Sequence, residues 1–317
     1  MKRTRTRALL GCLALTTAVA VAGCGGDITN AGSSEDCEPF DMAVNPWVGY
    51  ESNAHVVGRI AETQLGCRVN YVDLDEQTSW KGFGTDEVDV IIENWGHEDL
   101  VKKYVDGDKT AQLAGYTGVD GTIGWYVPPW MAEEYPDITD WKNLNKYADL
   151  FETTESGDKG QLLDGDPGYV TYDEALVENL DLDYEVVVGG SEAALIEAFR
   201  SAQENKTPLL AYFYRPQWFF NEIELAHVEL PAYTPGCDAV PSEVDCDYPP
   251  YRLNKVVATD FAESGSPAYD LVTSFKWTEE DQNVVSKYIS EDGMEPDAAA
   301  DRWIADNQDM VDVWLDK

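Results

Sequence analysis

The sequence has few positive charges, and it has no long apolar run beyond its amino terminus. Its 317 residues contain 22 lysines and arginines against 60 aspartates and glutamates. Because proteins bind nucleic acids by neutralising phosphates with basic side chains, a nucleic acid is excluded as a partner. No stretch after residue 25 reaches the roughly 18 consecutive apolar residues of a membrane-spanning helix. The composition therefore favours a folded, acidic protein whose mature part does not span a membrane.

The sequence also lacks the motifs that identify the common enzyme classes. Its three histidines are His55, His97 and His227, and none lies in a recognisable nucleophile, metal or acid–base motif. There is no GxSxG, HExxH, P-loop or GxGxxG pattern. A catalytic pair of carboxylates cannot be singled out among 60 acidic residues. We therefore predict a protein without enzymatic activity and without a cofactor.

The amino terminus has the pattern of a secretion signal. Four basic side chains lie in residues 2–7, and residues 8–22 form an apolar segment that is too short to span a membrane. We predict a signal peptide over residues 1–23, with lipidation of Cys24 as in a bacterial lipobox and a flexible tether over residues 24–36. An ordinary signal peptide with an incidental cysteine is the alternative. The protein is then extracytoplasmic and lipid-anchored to the bacterial cell membrane.

Four cysteines remain after the signal peptide and the lipidation site. They are Cys37, Cys67, Cys237 and Cys246. An even number in an oxidising compartment predicts disulfides. Cys237 and Cys246 enclose a short acidic loop and are paired with each other, which leaves Cys37 for Cys67. Zinc is the competing interpretation, but the spacing has no close CxxC pair, so we predict no metal site.

Strand and helix patterns alternate along the chain. Residues 41–45, 68–74 and 88–92 resemble strands, with helices at residues 52–65 and 77–83 between them. The pattern restarts near residue 120, residues 156–168 and 231–251 are predicted to be loops, and residues 267–315 are mostly helical. This alternation is typical of an α/β protein.

We predict a two-lobed fold of the periplasmic-binding-protein type (type II-like), with the ligand in the interlobe cleft. Lobe I consists of residues 37–120 together with residues 255–317, and lobe II consists of residues 121–254. Because the chain then crosses between the lobes twice, closure around a ligand is the expected motion.

Aromatic residues lie at the strand ends and helix starts that line such a cleft. They are Trp47, Trp95, Tyr169 and Tyr214. A single aromatic residue is usually part of the core, but four at four such turns indicate a site. Electron-rich ring faces attract a soft, weakly hydrated cation, and a quaternary ammonium group fits this description.

The turn at Tyr169 also offers a place for an anion. Tyr169 precedes a helix with a predicted Thr171-x-x-Glu174 capping box, and the amides of Val170 and Thr171 can bind a carboxylate. Alternatively, these amides serve only the helix cap. Arg215 is a second candidate partner for a carboxylate, or else an ordinary surface arginine. A small zwitterion such as a betaine satisfies both halves of this site.

Three segments in this order resemble the glycine betaine/proline type of substrate-binding protein from ATP-driven importers. They are GTDEVDVIIENW (residues 84–95), PGY (residues 167–169) and YRPQW (residues 214–218). The resemblance covers roughly residues 40–315 and implies two α/β lobes around an aromatic box. It places Trp95, Tyr169 and Tyr214 at box positions, and Trp47 matches an aromatic residue of choline-binding relatives.

The resemblance implies a receptor that captures glycine betaine or a close analogue for osmoprotectant uptake and delivers it to a membrane permease. An acidic surface with a net charge of −38 suits work in concentrated salt, where repulsion is screened. The alternatives are a receptor for choline, carnitine or proline betaine, and an extracellular enzyme acting on a small quaternary amine.

Overall fold

The computed structural model describes residues 37–316. The predicted signal peptide, Cys24 and the tether lie outside the described residues. The described part contains nine strands in one mixed sheet, in the order β2-β1-β3-β9-β4-β7-β5-β6, with β8 beside β4. The strands are β1 (Phe40–Val44), β2 (Val69–Asp73), β3 (Val90–Asn94), β4 (Ala111–Val127), β5 (Gly160–Asp164), β6 (Tyr184–Val188), β7 (Ala211–Arg215), β8 (Ala226–Val228) and β9 (Tyr251–Ala258).

Helices cover the sheet and form most of the last fifty residues. The α-helices are α1 (Val48–Ile60), α2 (Glu76–Gly82), α3 (Glu98–Leu100), α4 (Pro129–Glu134), α5 (Asp173–Asn179), α6 (Glu192–Asn205), α7 (Thr259–Glu263), α8 (Pro267–Ser274), α9 (Glu279–Ser290), α10 (Pro296–Asp306) and α11 (Gln308–Trp314). Short 3₁₀ segments span Trp141–Phe151, Trp218–Asn221 and Pro241–Glu243, and π-helical turns follow α1 and α3. Within residues 37–316, no helix is both long and apolar enough to cross a bilayer.

In the first part of the sheet, which contains β1, β2 and β3, the strands β1 and β3 are largely buried. Every residue of β3 is buried, and β3 pairs in parallel with β1, which in turn pairs in parallel with β2. Helix α1 and its π-helical extension end at Gly66, whose positive φ of 71° suits glycine. The disulfide Cys37–Cys67 then ties the start of β1 to this helix end. The α/β prediction and this disulfide are confirmed.

A long strand joins the two parts of the sheet. Residues 111–121 of β4 pair with β9, and residues 122–126 pair with β7. Strand β9 returns from the second part, and its first residue, Tyr251, pairs with Gly121. Strands β5 and β6 complete the second part as a parallel pair. The exact lobe boundaries at residues 120 and 254 stay a prediction.

The structure corrects three local predictions. Helix α1 begins at Val48 rather than at residue 52. The segment 156–168 is not all loop, because it contains β5, and β6 was not predicted from the sequence at all. Both strands are short, and each takes its backbone partners from a distant segment, which a local pattern does not reveal. The second predicted disulfide, Cys237–Cys246, is present.

Candidate functional site

Aromatic side chains from separate segments line one cavity. Trp47 follows β1, Trp95 follows β3, Tyr169 lies beyond β5, and Tyr214 lies near the end of β7. The carboxyl ends of parallel strands are where α/β proteins place ligands. The complete lining consists of Trp47, Trp95, Ile123, Tyr169, Val170, Tyr212 and Tyr214, around about 260 Å³ of empty space that includes open solvent. The cavity therefore has an almost entirely apolar wall.

The rings of this cavity meet edge to face. The ring centroids are 5.7 Å apart for Trp47 and Tyr169, 5.8 Å for Trp95 and Tyr214, and 5.9 Å for Tyr169 and Tyr214. The interplanar angles of these pairs are 88°, 82° and 84°. Such near-perpendicular packing is a preferred arrangement of aromatic pairs. It turns ring faces in several directions around one small space.

One buried carboxylate fixes both tryptophans, which we call the tryptophan wall (Trp47 and Trp95). Glu93 Oε1 accepts hydrogen bonds from the two indole Nε1 atoms, each at 2.8 Å. Glu93 Oε2 accepts from Asn53 Nδ2 at 2.5 Å and from Gln282 Nε2 at 2.8 Å. Burial raises the pKa of Glu93, while the bonds from the indoles and from Gln282 oppose that rise. Because all four partners are N–H donors, the ionised carboxylate satisfies this network best.

A second buried carboxylate contacts the opposite side, which we call the tyrosine wall (Tyr169 and Tyr214). Glu192, the first residue of α6, accepts hydrogen bonds from the Tyr214 hydroxyl and from Gln217 Nε2. It also accepts from the backbone N–H of Val48 at 2.9 Å. That N–H is the first of α1 and has no partner within its own helix. Burial raises the pKa of Glu192 to about 7.

Tyr169 makes its own link to the tryptophan wall. Its hydroxyl donates to the backbone carbonyl of Pro46 at 2.9 Å, directly before Trp47. Together with the bond between Glu192 and Val48, this contact joins the turn after β1 to the second part of the sheet. The two walls are thus connected by hydrogen bonds.

The turn after Tyr169 differs from its prediction. Helix α5 begins at Asp173 with Tyr172 at the cap position and no side-chain cap, so the predicted capping box is wrong. The Thr171 hydroxyl instead donates to the buried Asp164 at 3.0 Å and accepts from the Asp173 N–H. Within residues 37–316, the amide N–H groups of Val170 and Thr171 make no hydrogen bond. One of these unpaired donors therefore belongs to Val170, which lines the cavity, and the other belongs to the next residue along the chain.

The structure brings five of the seven predicted ligand residues to the cavity. Thr171 is directed to Asp164, and Arg215 pairs with Glu224 at 2.9 Å. The guanidinium of Arg215 also lies 3.6 Å from the ring centre of Phe220. Neither Thr171 nor Arg215 lines the cavity.

Sequence reasoning missed several residues of the site. Tyr212 lies two residues before Tyr214 on β7, so strand alternation places both on one face and gave a usable signal. Ile123 pairs with Tyr214 across β4 and β7, and the sequence carries no signal for it. Glu93 lies two residues before Trp95, but nothing marks it as the acceptor for two indoles.

A family model described as the substrate binding domain of ABC-type glycine betaine transport systems matches residues 39–306. This match covers most of the chain, and the chain therefore belongs to this family. The family consists of solute-binding proteins of ABC transporters and not of enzymes.

Individual proteins resemble the chain more distantly. The glycine betaine/carnitine transport binding protein GbuC of Listeria monocytogenes is 27% identical over 138 residues. This match spans 44% of the chain and 42% of GbuC, less than half of the length of that curated relative.

Two solved structures share the fold over most of the chain. Lactococcal OpuAC, closed on glycine betaine, is 21% identical, with a TM-score of 0.68 over 88% of this chain and 99% of its own. A choline-binding protein in complex with choline is 17% identical, with a TM-score of 0.72 over 90% of this chain and 93% of its own. These likenesses confirm the predicted two-lobed α/β fold.

Proposed function

We propose that this protein is the extracytoplasmic receptor of an ABC importer and that it binds glycine betaine or a related quaternary ammonium compound in the aromatic cavity. The observation that carries the proposal is the meeting of Trp47, Trp95, Tyr169 and Tyr214 around one small space. A quaternary ammonium group donates no classical hydrogen bond, and ring faces attract it. Each ring contributes roughly 0.5–2 kcal/mol, and micromolar binding needs about −8 kcal/mol.

The remaining binding energy requires a second contact and the exclusion of water. The unpaired amides of Val170 and Thr171 are the proposed partners of a ligand carboxylate. Closure of lobe I (residues 37–120 and 255–317) on lobe II (residues 121–254) is proposed to bury the ligand. Strands β4 and β9 run between the two parts of the sheet. Closure would therefore bend these two strands.

The cellular role follows from the family. We propose that Cys24 carries the lipid anchor, that a membrane permease receives the ligand, and that uptake serves osmoprotection. The ligand leaves chemically unchanged. Carnitine and proline betaine are alternative ligands within this class. Choline is a third alternative.

Isothermal titration calorimetry tests this function directly. Glycine betaine, choline, carnitine and proline betaine are titrated into the protein, with proline and 3,3-dimethylbutan-1-ol as controls. The last compound has the shape of choline without its charge, so a cation site should bind it at least about tenfold more weakly than choline. Equal binding of the neutral compound, or no binding of any quaternary amine, would refute the proposal. Recovery of a chemically altered ligand would instead indicate an extracellular enzyme that acts on a small quaternary amine.

A further inference from the structure

The hydrogen-bond donors around the cavity already converge on a carboxylate of the protein itself. The backbone N–H of Val48, the Gln217 side-chain amide and the Tyr214 hydroxyl all donate to Glu192. These donors come from α1, from the cap position of the 3₁₀ segment Trp218–Asn221 and from β7. A ligand carboxylate that needed them would have to displace Glu192. The carboxylate of Glu192 thus already occupies the place that these donors offer to an anion.

The charge around the cavity is one-sided. The lining contains no lysine, arginine or other charged residue. Behind it lie Glu93 and Glu192, which are 1% and 8% exposed. Arg215, the cation adjacent to Tyr214 in sequence, pairs with Glu224 on the surface. A buried carboxylate is costly without a positive partner, and a cationic ligand would supply that partner.

We propose that Glu192 is a specificity-determining residue, and that its carboxylate makes the cavity prefer a quaternary ammonium cation such as choline over a zwitterion such as glycine betaine. The inference rests on the proposed function and narrows its ligand class. A monocation gains the attraction of Glu192 without any repulsion. A zwitterion brings a second carboxylate towards Glu192, and only the amides of Val170 and Thr171 are left to bind it. Glycine betaine therefore binds, but more weakly.

The preference should depend on pH, because Glu192 titrates in an accessible range. Burial raises the pKa of Glu192 to about 7, and the Glu51 carboxylate on α1 acts in the same direction. The other groups that face it are the Tyr214 and Tyr169 hydroxyls, whose pKa values burial raises, and the neutral Gln217 amide. These partners stay uncharged while Glu192 ionises. The affinity for choline should consequently rise between about pH 6 and about pH 8.

The experiment compares the full chain with two variants by calorimetry, using choline and glycine betaine at about pH 6 and about pH 8. Glu192→Gln keeps the shape and removes the charge. Glu197→Gln removes a charge from the same helix, where the side chain is 74% exposed, and serves as the matched control. We expect Glu192→Gln to weaken choline binding at about pH 8 by tenfold or more and to leave glycine betaine binding unchanged or tighter. The ratio of the two affinities should then no longer depend on pH.

Each other outcome counts against the inference in a distinct way. If the unmutated protein binds glycine betaine more tightly than choline at about pH 8, the proposed function stands and the inference fails. Equal weakening of both ligands in Glu192→Gln would assign the residue a structural role only. If neither ligand binds the unmutated protein, the proposed function and the inference fall together. If Glu192→Gln does not fold, the unmutated protein alone still tests the inference. In that case, the inference is overturned if the affinity for choline does not rise with pH relative to the affinity for glycine betaine.

Discussion

The two walls of the cavity are held by buried glutamates in different ways. Glu93 receives four N–H donors, and its partners beyond the indoles come from α1 and α9. Glu192 receives three donors: the backbone N–H of Val48, which is the first residue of α1 and follows Trp47, and the side chains of Gln217 and Tyr214. The tryptophan wall is thus fixed within one part of the fold, while the anchor of the tyrosine wall also bridges to the other part.

This difference suggests that Glu93 serves the structure and that Glu192 serves ligand selection. A carboxylate with four N–H donors is well satisfied as an anion, and its loss should mainly damage the fold. A carboxylate with fewer donors and a pKa near 7 can change its charge under ordinary conditions. We expect the first glutamate to determine where the rings lie and the second to determine what they bind.

The largest expected effect concerns the stability contributed by the tryptophan wall. In Glu93→Gln, the new amide places its own donors against two of the four N–H groups, and each buried unsatisfied donor costs about 1–3 kcal/mol. We expect the free energy of unfolding to fall by about 4 kcal/mol in urea titrations, and by less than half of that in Glu192→Gln. Equal losses in the two variants would remove the distinction between the walls.

A second prediction sharpens the comparison through pH. Burial raises the pKa of Glu192 from 4.5 to about 7, so the unfolded chain loses this proton at lower pH than the folded protein. The stability from Glu192 is therefore fully present below about pH 4.5 and falls by about 3 kcal/mol as the pH rises to about 7. The unfolding free energy of the unmutated protein, measured relative to Glu192→Gln, should decline over this range. A difference that stays constant with pH would contradict the raised pKa.

The third prediction tests the binding role of the tryptophan wall. Trp95→Ala removes a ring that contacts Tyr214 across the cavity, and we expect the dissociation constant for a bound quaternary amine to rise at least about thirtyfold, or ~2 kcal/mol. Circular dichroism should show a retained fold. Trp141→Ala is the matched control, because Trp141 lies outside the cavity lining. The affinity of this variant for the quaternary amine should stay unchanged. Undiminished affinity in Trp95→Ala would refute the site.

The smallest expected effect concerns Arg215. Its guanidinium is occupied by Glu224 and by the face of Phe220, so Arg215→Ala should change the affinity by no more than about twofold. Titration of glycine betaine measures it, because only a ligand with a carboxylate could gain from an arginine. A tenfold loss would restore Arg215 as the carboxylate partner that the sequence suggested.

The outcome at particular residues shows how far local patterns reach. The disulfides followed from the number and spacing of the cysteines, and the four aromatic residues followed from their places at strand ends. The capping box at Thr171 failed because the nearby Asp164 binds the Thr171 hydroxyl. Strands β5 and β6 were missed or read as loop because their hydrogen-bond partners are each other and β7.

The sequence by itself determined the α/β class, the two disulfides and four of the five ring residues of the site, because these depend on composition, parity and short-range periodicity. Only the tertiary structure decided which carboxylates lie behind the rings. Glu192 is 144 residues from Val48 and 22 from Tyr214, and no local pattern distinguishes it among 60 acidic residues. Its burial, and with it the charge that the cavity presents, arises only when distant segments pack together and exclude water.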